Sequence, residues 1–403
     1  MAAALDKVRV ADFSHVFAGP QCTMALADLG AEVIKIEPPA GDASRSYCPP
    51  DIAGESPAFL CLNRNKKGIV LDLASARGQA LARDIIATAD IVVENFATGV
   101  MGKFGLDPDT MRGSHPRLIY CSISAYGREG ELARRPGFDP VIQAESGLMS
   151  LNGAPDGPPF RTGIPFVDIC TGMFATQAIL AALFAREQTG VGQFIDVPLF
   201  DSAAHLAGYQ TLSFLASGAA PGRFGNASSI VAPAGLYEAT DGPLFLTVGG
   251  DRIWQKLLTA LGDPPELTDP RFATNPQRLR AADHLNRILQ TLISGRPRAW
   301  WLERLRQAGV PAGPLHDIAG ACDSPEMRSR AIVGAAPHTA AGTVPDVRTP
   351  WSMTATPSVR PRGAPVLGEH TRSVLHELLG LPAARIDELE RAGVIGCAAL
   401  PRD

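Results

Sequence analysis

Short runs of aliphatic and β-branched residues alternate with helical stretches through the first 200 residues, and this alternation restricts the fold more than any other feature of the chain. VRVADF (8–13) reads as a strand, 19–29 as a helix and AEVIKIE (31–37) as the next strand. GIVLDL (68–73) precedes a helical stretch over 76–89, and DIVVENF (90–96), LIYCSIS (118–124) and QFIDVPL (193–199) supply further strands. Strands that alternate with helices need crossover connections, so the expected fold is α/β, with a parallel sheet covered on both faces.

The pattern changes after RFGNASS (223–229). GLYEATDGPLFLTVGG (235–250) predicts a hairpin turning at Thr240-Asp241-Gly242, followed by helices near 252–262, 282–294 and 298–308. A Pro-rich stretch from about 330 to 365 reads as a return crossing, and 370–380 and 384–393 as terminal helices. The 403 residues are long for one domain and divide at these breaks into 1–222, 223–328 and 329–403.

Composition removes several classes of function. A net charge of −4 gives no support to a nucleic-acid or membrane-surface binder. The seven cysteines are scattered without any CxxC, and the histidines show no HExxH, so the expectation is reduced thiols, a cytoplasmic setting and no metal site. The opening MAAALDKVRVADFS has too short an apolar run for a signal peptide. The uncharged stretch 169–185 is the one membrane-span candidate; its 17 residues, rich in Ala, Gly, Thr and Gln, fit a buried helix better.

Ligands of open α/β sheets sit beyond the carboxyl ends of the strands. Those ends are Ser14–Gly19, Glu37–Pro39, Leu73-Ala74, Asn95–Ala97 and Ser124–Gly127. The first loop, SHVFAGPQC, has one glycine where a dinucleotide fingerprint needs three, and no GxxxxGK[ST] loop occurs. Lys66 and Lys67 precede their strand and are expected at the opposite edge as solvated charges. Lys103 falls on the ligand edge, within reach of a phosphate.

Asp168 stands at the head of the uncharged stretch. Two readings use the same amides: a plain N-cap, or a nucleophilic carboxylate kept ionised by the helix N-terminus and facing a reactive thioester. Spacing alone leaves both open.

A wider pattern bears on the choice. VRVADFSHVFAGPQCTMALADLGAEVIKIEPPAGDASR, NRNKKGIVLDL, ADIVVENF, GFDPVIQAESGLM and DGPPFRTGIPFVDICTGMFATQAILAALFAREQTGVGQFIDVPLFD resemble the family III CoA-transferases of the CaiB/BaiF superfamily. APVLGEHT (364–371) matches too. Within that group the chain is most similar to the succinyl-CoA-dependent dicarboxylate CoA-transferases.

The resemblance implies a Rossmann-like large domain made from both chain ends (1–222 and 329–403), a small α+β domain inserted at 223–328, and two protomers interlocked like chain links. It implies that Asp168 is the nucleophile. CoA passes from a donor such as succinyl-CoA to a dicarboxylic or hydroxy acid, by way of a mixed anhydride and an aspartyl-CoA thioester. CoA contacts carry over to Phe17, Ala18, Leu71, Leu73, Asn95, Phe96, Lys103 and Phe138. CoA thioester is substrate, with no permanently bound cofactor.

Some positions depart from the family pattern. Pro38 stands where several relatives carry an arginine near the CoA phosphates, and Ser228 where the dicarboxylate branch often has histidine. A glutamine matching Phe17 and a Gly-rich loop, both found in formyl-CoA transferases, are missing, which speaks against formate and oxalate. Phe138 occupies the position of the acid/base histidine of the α-methylacyl-CoA racemases, the rival of the same fold, and phenylalanine cannot shuttle a proton. A catalytically silent CoA-binding protein is the alternative of another class. Arg134, Arg135 and Arg161 are candidates for pairing with a second carboxylate.

Overall fold

The computed structural model describes residues 2–52 and 54–398, which form two compact units. One comprises the chain up to Leu148, Thr162–Leu212 and everything from Ser329; the other is Met149–Arg161 with Ser213–Arg328. The inserted unit thus begins ten residues before the break at 223, and it takes in a segment the sequence pattern leaves with the first.

The first unit is built on a seven-stranded sheet. Its strands are β1 (Arg9–Asp12), β2 (Glu32–Glu37), β3 (Lys66–Leu71), β4 (Ile91–Glu94), β5 (Ile119–Ser124) and β6 (Phe194–Pro198), with β12 (Ile395–Gly396) at the edge. The order is β12-β3-β2-β1-β4-β5-β6; β12 runs antiparallel to β3 and all other pairs are parallel. The strand sequence reverses between β1 and β4, the switch point where doubly wound sheets bind ligands.

Eight helices of the first two hundred residues matter here: α1 (Ala18–Asp28), α2 (Pro57–Asn63), α3 (Ala76–Ala87), α4 (Val100–Lys103), α5 (Pro108–Ser114), α6 (Asp139–Glu145), α7 (Phe166–Thr189) and α8 (Leu199–Leu206). Two apolar clusters lie on opposite faces of the sheet. Ala11, Ile34, Ile69 and Val92 join α3 and the terminal helices Thr371–Leu379 and Ala383–Arg391. Val10, Val33, Ile91 and Ile119 join α1, α6 and α7. Successive strand residues alternate between the two clusters, as strand geometry requires. With both faces covered, β4 and β5 are buried at every position.

α7 packs along α1, and Gly172 sets the approach: a Cβ there would meet the Ala18 carbonyl oxygen at 2.5 Å. By length and composition α7 could cross a membrane, yet it lies in the core cluster through Val167, Ala175, Ile179 and Ala182.

In the second unit β7 (Ala234–Ala239) and β8 (Gly242–Thr247) form the expected hairpin, joined by β9 (Ala312–Pro314). The Pro-rich stretch is more ordered than its composition suggests, holding the antiparallel hairpin β10 (Val333–His338) and β11 (Gly342–Val347). Pro337 and Pro345 sit in a two-stranded ribbon whose strands both have a free edge, where a missing N–H is tolerated.

Lys66 is not a solvated charge. It begins β3 buried, and its Nζ donates to Asp12 (3.1 Å), Asn63 Oδ1 (2.9 Å) and the Pro20 carbonyl (3.2 Å). A partner reachable by the four-carbon stem makes this burial possible. Lys67, pointing to the other face, is partly exposed and pairs with Glu32 at 2.6 Å.

Candidate active site

Beyond the carboxyl ends of β1, β4 and β5 lies a cleft of about 420 Å³. Its walls are His15–Ala18 from the first loop, Asn95–Thr98 after β4, Ile123–Ala125 after β5, and Ala133–Phe138, with Asp168 and Leu199. A larger hollow of about 610 Å³ in the second unit is ringed by Arg271, Arg280, His284 and Arg287. It holds none of the residues singled out above and is remote in the chain from the parallel sheet's strand ends.

Asp168 lies in the first turn of α7, whose N-cap is Pro165, so it is not a capping residue. That place is taken from another element. Asp139, the first residue of α6, directs its buried carboxylate at the head of α7 and accepts the N–H groups of Val167 (2.7 Å) and Asp168 (3.1 Å). Gln143, one helical turn on, donates to Asp139 Oδ1 at 2.5 Å. Asp139 and Gln143 went unnoticed in the sequence. The signal was there in Asp139-Pro140, an acidic residue and proline opening a helix.

The consequence reverses one expectation. The helix amides stabilise Asp139, and the Asp168 carboxylate accepts no hydrogen bond among the described residues. Burial, and then the negative charge of Asp139, push the Asp168 pKa up to about 7. A carboxyl with its pKa near neutrality, in a cleft at the switch point, is a candidate functional group.

The remaining walls are held from beneath. Arg128 donates to Glu94 (2.8 Å), the Phe96 carbonyl (2.7 Å), Thr98 Oγ1 (3.2 Å) and the Ile123 carbonyl (3.1 Å), tying the β4 and β5 ends together. The His15 ring lies edge-on to Phe96, centroids 4.4 Å apart. Burial, with help from Lys35, lowers the His15 pKa, so the ring stays neutral at pH 7.

Of the residues expected to meet CoA, the cleft gathers Phe17, Ala18, Asn95, Phe96 and Phe138 around Asp168. Phe138 is 71% exposed, unlike a core residue. Leu71 is fully buried inside β3 between β2 and β12, and presents no surface to a ligand. Leu73 packs against the core beyond the strand end. Lys103, exposed at the end of α4, stands outside the cleft lining. Pro38 is exposed after β2, and Ser228 belongs to the second unit.

Comparison with known proteins places this arrangement. The family described as CoA-transferase family III matches residues 5–371. An acetyl-CoA:oxalate CoA-transferase of Acetobacter aceti is 40% identical over 81% of this chain and 84% of its own. A succinate–glutarate CoA-transferase of Agrobacterium fabrum is 37% identical over 93% of this chain and 95% of its own. Among solved structures, a CAIB/BAIF family protein from Brucella suis superimposes with a TM-score of 0.84 at 36% identity, covering 94% of this chain and all of that one. The chain belongs to CoA-transferase family III. It is an enzyme, a transferase for which CoA thioesters are substrates.

Proposed function

We propose that this enzyme moves CoA from an acyl-CoA donor, succinyl-CoA or a similar thioester, to a dicarboxylic acid, with Asp168 as nucleophile. The observation that carries the reading is Asp168 itself: a carboxyl without a hydrogen-bond partner among the described residues, its pKa near 7, in the cleft at the switch point. A carboxylate suits the exchange because, once acylated, it is also a good leaving group.

The ionised Asp168 attacks the thioester carbonyl and expels CoA thiolate, leaving a mixed anhydride. The thiolate attacks the aspartyl carbon, releasing the donor acid and forming an aspartyl-CoA thioester. The acceptor carboxylate attacks that carbon and the thiolate leaves. Thiolate attack on the acceptor's acyl carbon then frees Asp168 as acceptor-CoA forms. No electrons are exchanged and no external proton is required.

Phe17, Ala18, Asn95, Phe96 and Phe138 line the path of the acyl-pantetheine arm in this reading, with Leu73 and Lys103 further along toward the nucleotide. Arg134 is the arginine to pair with a second carboxylate. It lines the cleft and has no acidic partner among the described residues, whereas Arg135 is held by Glu145 and Arg161 lies in the second unit. The relatives' names pair CoA donors with glutarate and with oxalate. Oxalate therefore returns to the acceptor set, despite the missing glutamine and Gly-rich loop.

Exposed Ile164, Met173 and Phe184 at the head and along the length of α7, with Leu212, support a homodimer, interlocked as in the family. Free thiols at all seven cysteines support a reducing, cytoplasmic setting.

The test is a matrix of acetyl-, succinyl- and glutaryl-CoA against oxalate, glutarate, mesaconate and citramalate, with product masses as readout. Hydroxylamine added with donor alone is expected to leave a hydroxamate at Asp168. Transfer without any covalent label at Asp168 overturns the mechanism. Negligible α-proton exchange of a 2-methylacyl-CoA in deuterated water is also expected, because Phe138 offers no second base.

A further inference from the structure

Val16 lines the cleft with φ at +67°, a conformation β-branched residues almost never adopt. Such strain persists only where its surroundings over-determine it. Glycine would hold the same turn without that strain. The chain places valine there and holds the turn through side chains of Asp12, Lys35, Asp42 and Asn95.

Three of these side chains come from neighbouring parts of the sheet. Asn95, after β4, accepts the His15 N–H and donates to the His15 carbonyl, both at 2.8 Å. Asp42, after β2, accepts the Val16 N–H at 3.2 Å. Lys35, on β2, donates to the Ser14 carbonyl and to Asp42, both at 2.9 Å. Asp42 is itself fixed: its own N–H donates to Glu37, and its carboxylate accepts from the Ser44 N–H and hydroxyl. Lys35 and Asp42 are both buried, so the clamp is part of the core and the turn hangs from it.

We propose that Asn95 and Asp42 are positioning residues. They hold Val16 in the left-handed region and thereby fix where Phe17 and Ala18, the next two residues of the cleft wall, meet the thioester opposite Asp168. This inference rests on the reading of Asp168 as nucleophile. It gives Asn95 a role distinct from contact with CoA, and it assigns one to Asp42, which does not line the cleft. Release of the clamp lets Val16 relax to negative φ and swings Phe17 and Ala18 out of register, a displacement of the kind that costs about a hundredfold in rate.

The experiment pairs each clamp variant with Val16→Gly, since glycine populates positive φ without a clamp. Rates are taken per mole of folded enzyme, with kcat and the KM for the acyl-CoA separated. Asn95→Ala is expected to lower kcat about tenfold to a hundredfold and to change KM little. Adding Val16→Gly to Asn95→Ala is expected to recover most of that loss. Asp42→Ala, with and without Val16→Gly, decides in the same way if Asn95→Ala does not fold; Lys35 there keeps its bond to Ser14 and the nearby charges of Asp12 and Glu37.

An unchanged kcat in the clamp variants overturns the proposal, as does a loss that Val16→Gly fails to repair. A rise in KM alone would mean that Asn95 acts by contact. Asp168→Ala, assayed in parallel, separates the two readings. If it retains transfer, the cleft is not the reaction centre; if it is inactive while Asn95→Ala keeps wild-type kcat, the clamp alone is refuted.

Discussion

Asp12 and Asp168 are aspartates of the same compact unit, one buried in the core and the other half-buried at the cleft, and their surroundings push them in opposite directions. Asp12, at the end of β1, is fully buried. Burial would raise its pKa, but Lys66 and Lys35, with hydrogen bonds from Ser14 and Thr23, more than reverse that and hold it below the usual value. Asp168, at the head of α7, has no cation and no donor among the described residues; burial and the repelling charge of Asp139 raise its pKa to about 7. Burial alone therefore does not set the charge of a carboxyl. Around Asp12 the fold supplies compensation and obtains structure. Around Asp168 it withholds compensation, leaving a carboxyl that titrates near neutrality.

The difference has opposite signatures in pH. For Asp12 the folded state binds the proton less tightly than the unfolded chain, so its stabilisation is present above the unfolded value, 3.8, and is lost as pH falls further. For Asp168 the folded state keeps a proton that the unfolded chain releases. Stability is greatest below 3.8, declines as pH rises to about 7, and is flat above. The thermal stability of Asp168→Asn, relative to wild type, should therefore increase between pH 4 and 7.

The largest effect expected from breaking this contrast is on activity. Asp168→Ala should reduce CoA transfer by at least about 10⁴-fold, the scale of losing a nucleophile, while circular dichroism shows the fold retained. Wild-type turnover in the folded variant would remove the distinction between the two aspartates. Next comes Lys66→Met, which leaves Asp12 short of a partner at full burial. Denaturant unfolding should show a loss of about 3–5 kcal/mol, much of it recovered in Asp12→Asn/Lys66→Met.

Asp139→Asn sharpens the comparison from the other side. Asparagine keeps one acceptor oxygen for the α7 amides and sets its NH2 against the Gln143 donor, so some stability is lost, but the repelling charge is gone. The acid limb of the kcat/KM profile, expected near pH 7 in the wild type, should move to lower pH. An unmoved limb would mean that Asp139 acts only as a cap. The smallest effect belongs to Lys67→Ala, whose pair with Glu32 is partly exposed. A change beyond about 1 kcal/mol would show that exposure does not separate Lys67 from its buried neighbour Lys66.

The fold was legible where period and turn chemistry carried it. The six parallel strands, α1, α3 and α7, and the hairpin at Thr240-Asp241 follow from local pattern, because apolar alternation and turn residues act within a few positions. The hairpin at Val333–Val347 and the edge strand Ile395–Gly396 did not, since prolines mask the one and two residues of partner-dependent pairing make the other. Of the cleft lining, Phe17, Ala18, Asn95 and Phe96 were legible as strand ends, Asp168 as the acid before an uncharged stretch, and Phe138 through the family resemblance. Leu71, expected inside its strand, is there and fully buried, outside the cleft lining, because a motif position does not say how much of a residue reaches the surface.

The sequence by itself determined the alternating architecture, the family, and the single acid at the head of the uncharged stretch 169–185. Those depend on local periodicity and on residues adjacent in the chain. Tertiary structure decided the charge of that acid and the strain of the loop facing it. Asp139 stands 29 residues before Asp168 and Asn95 stands 80 after His15; Lys66 is 54 residues from Asp12. Whether a carboxyl is paired or left alone depends on which distant side chains the packing brings within hydrogen-bond reach, and electrostatic interactions in a low-dielectric interior amplify that choice.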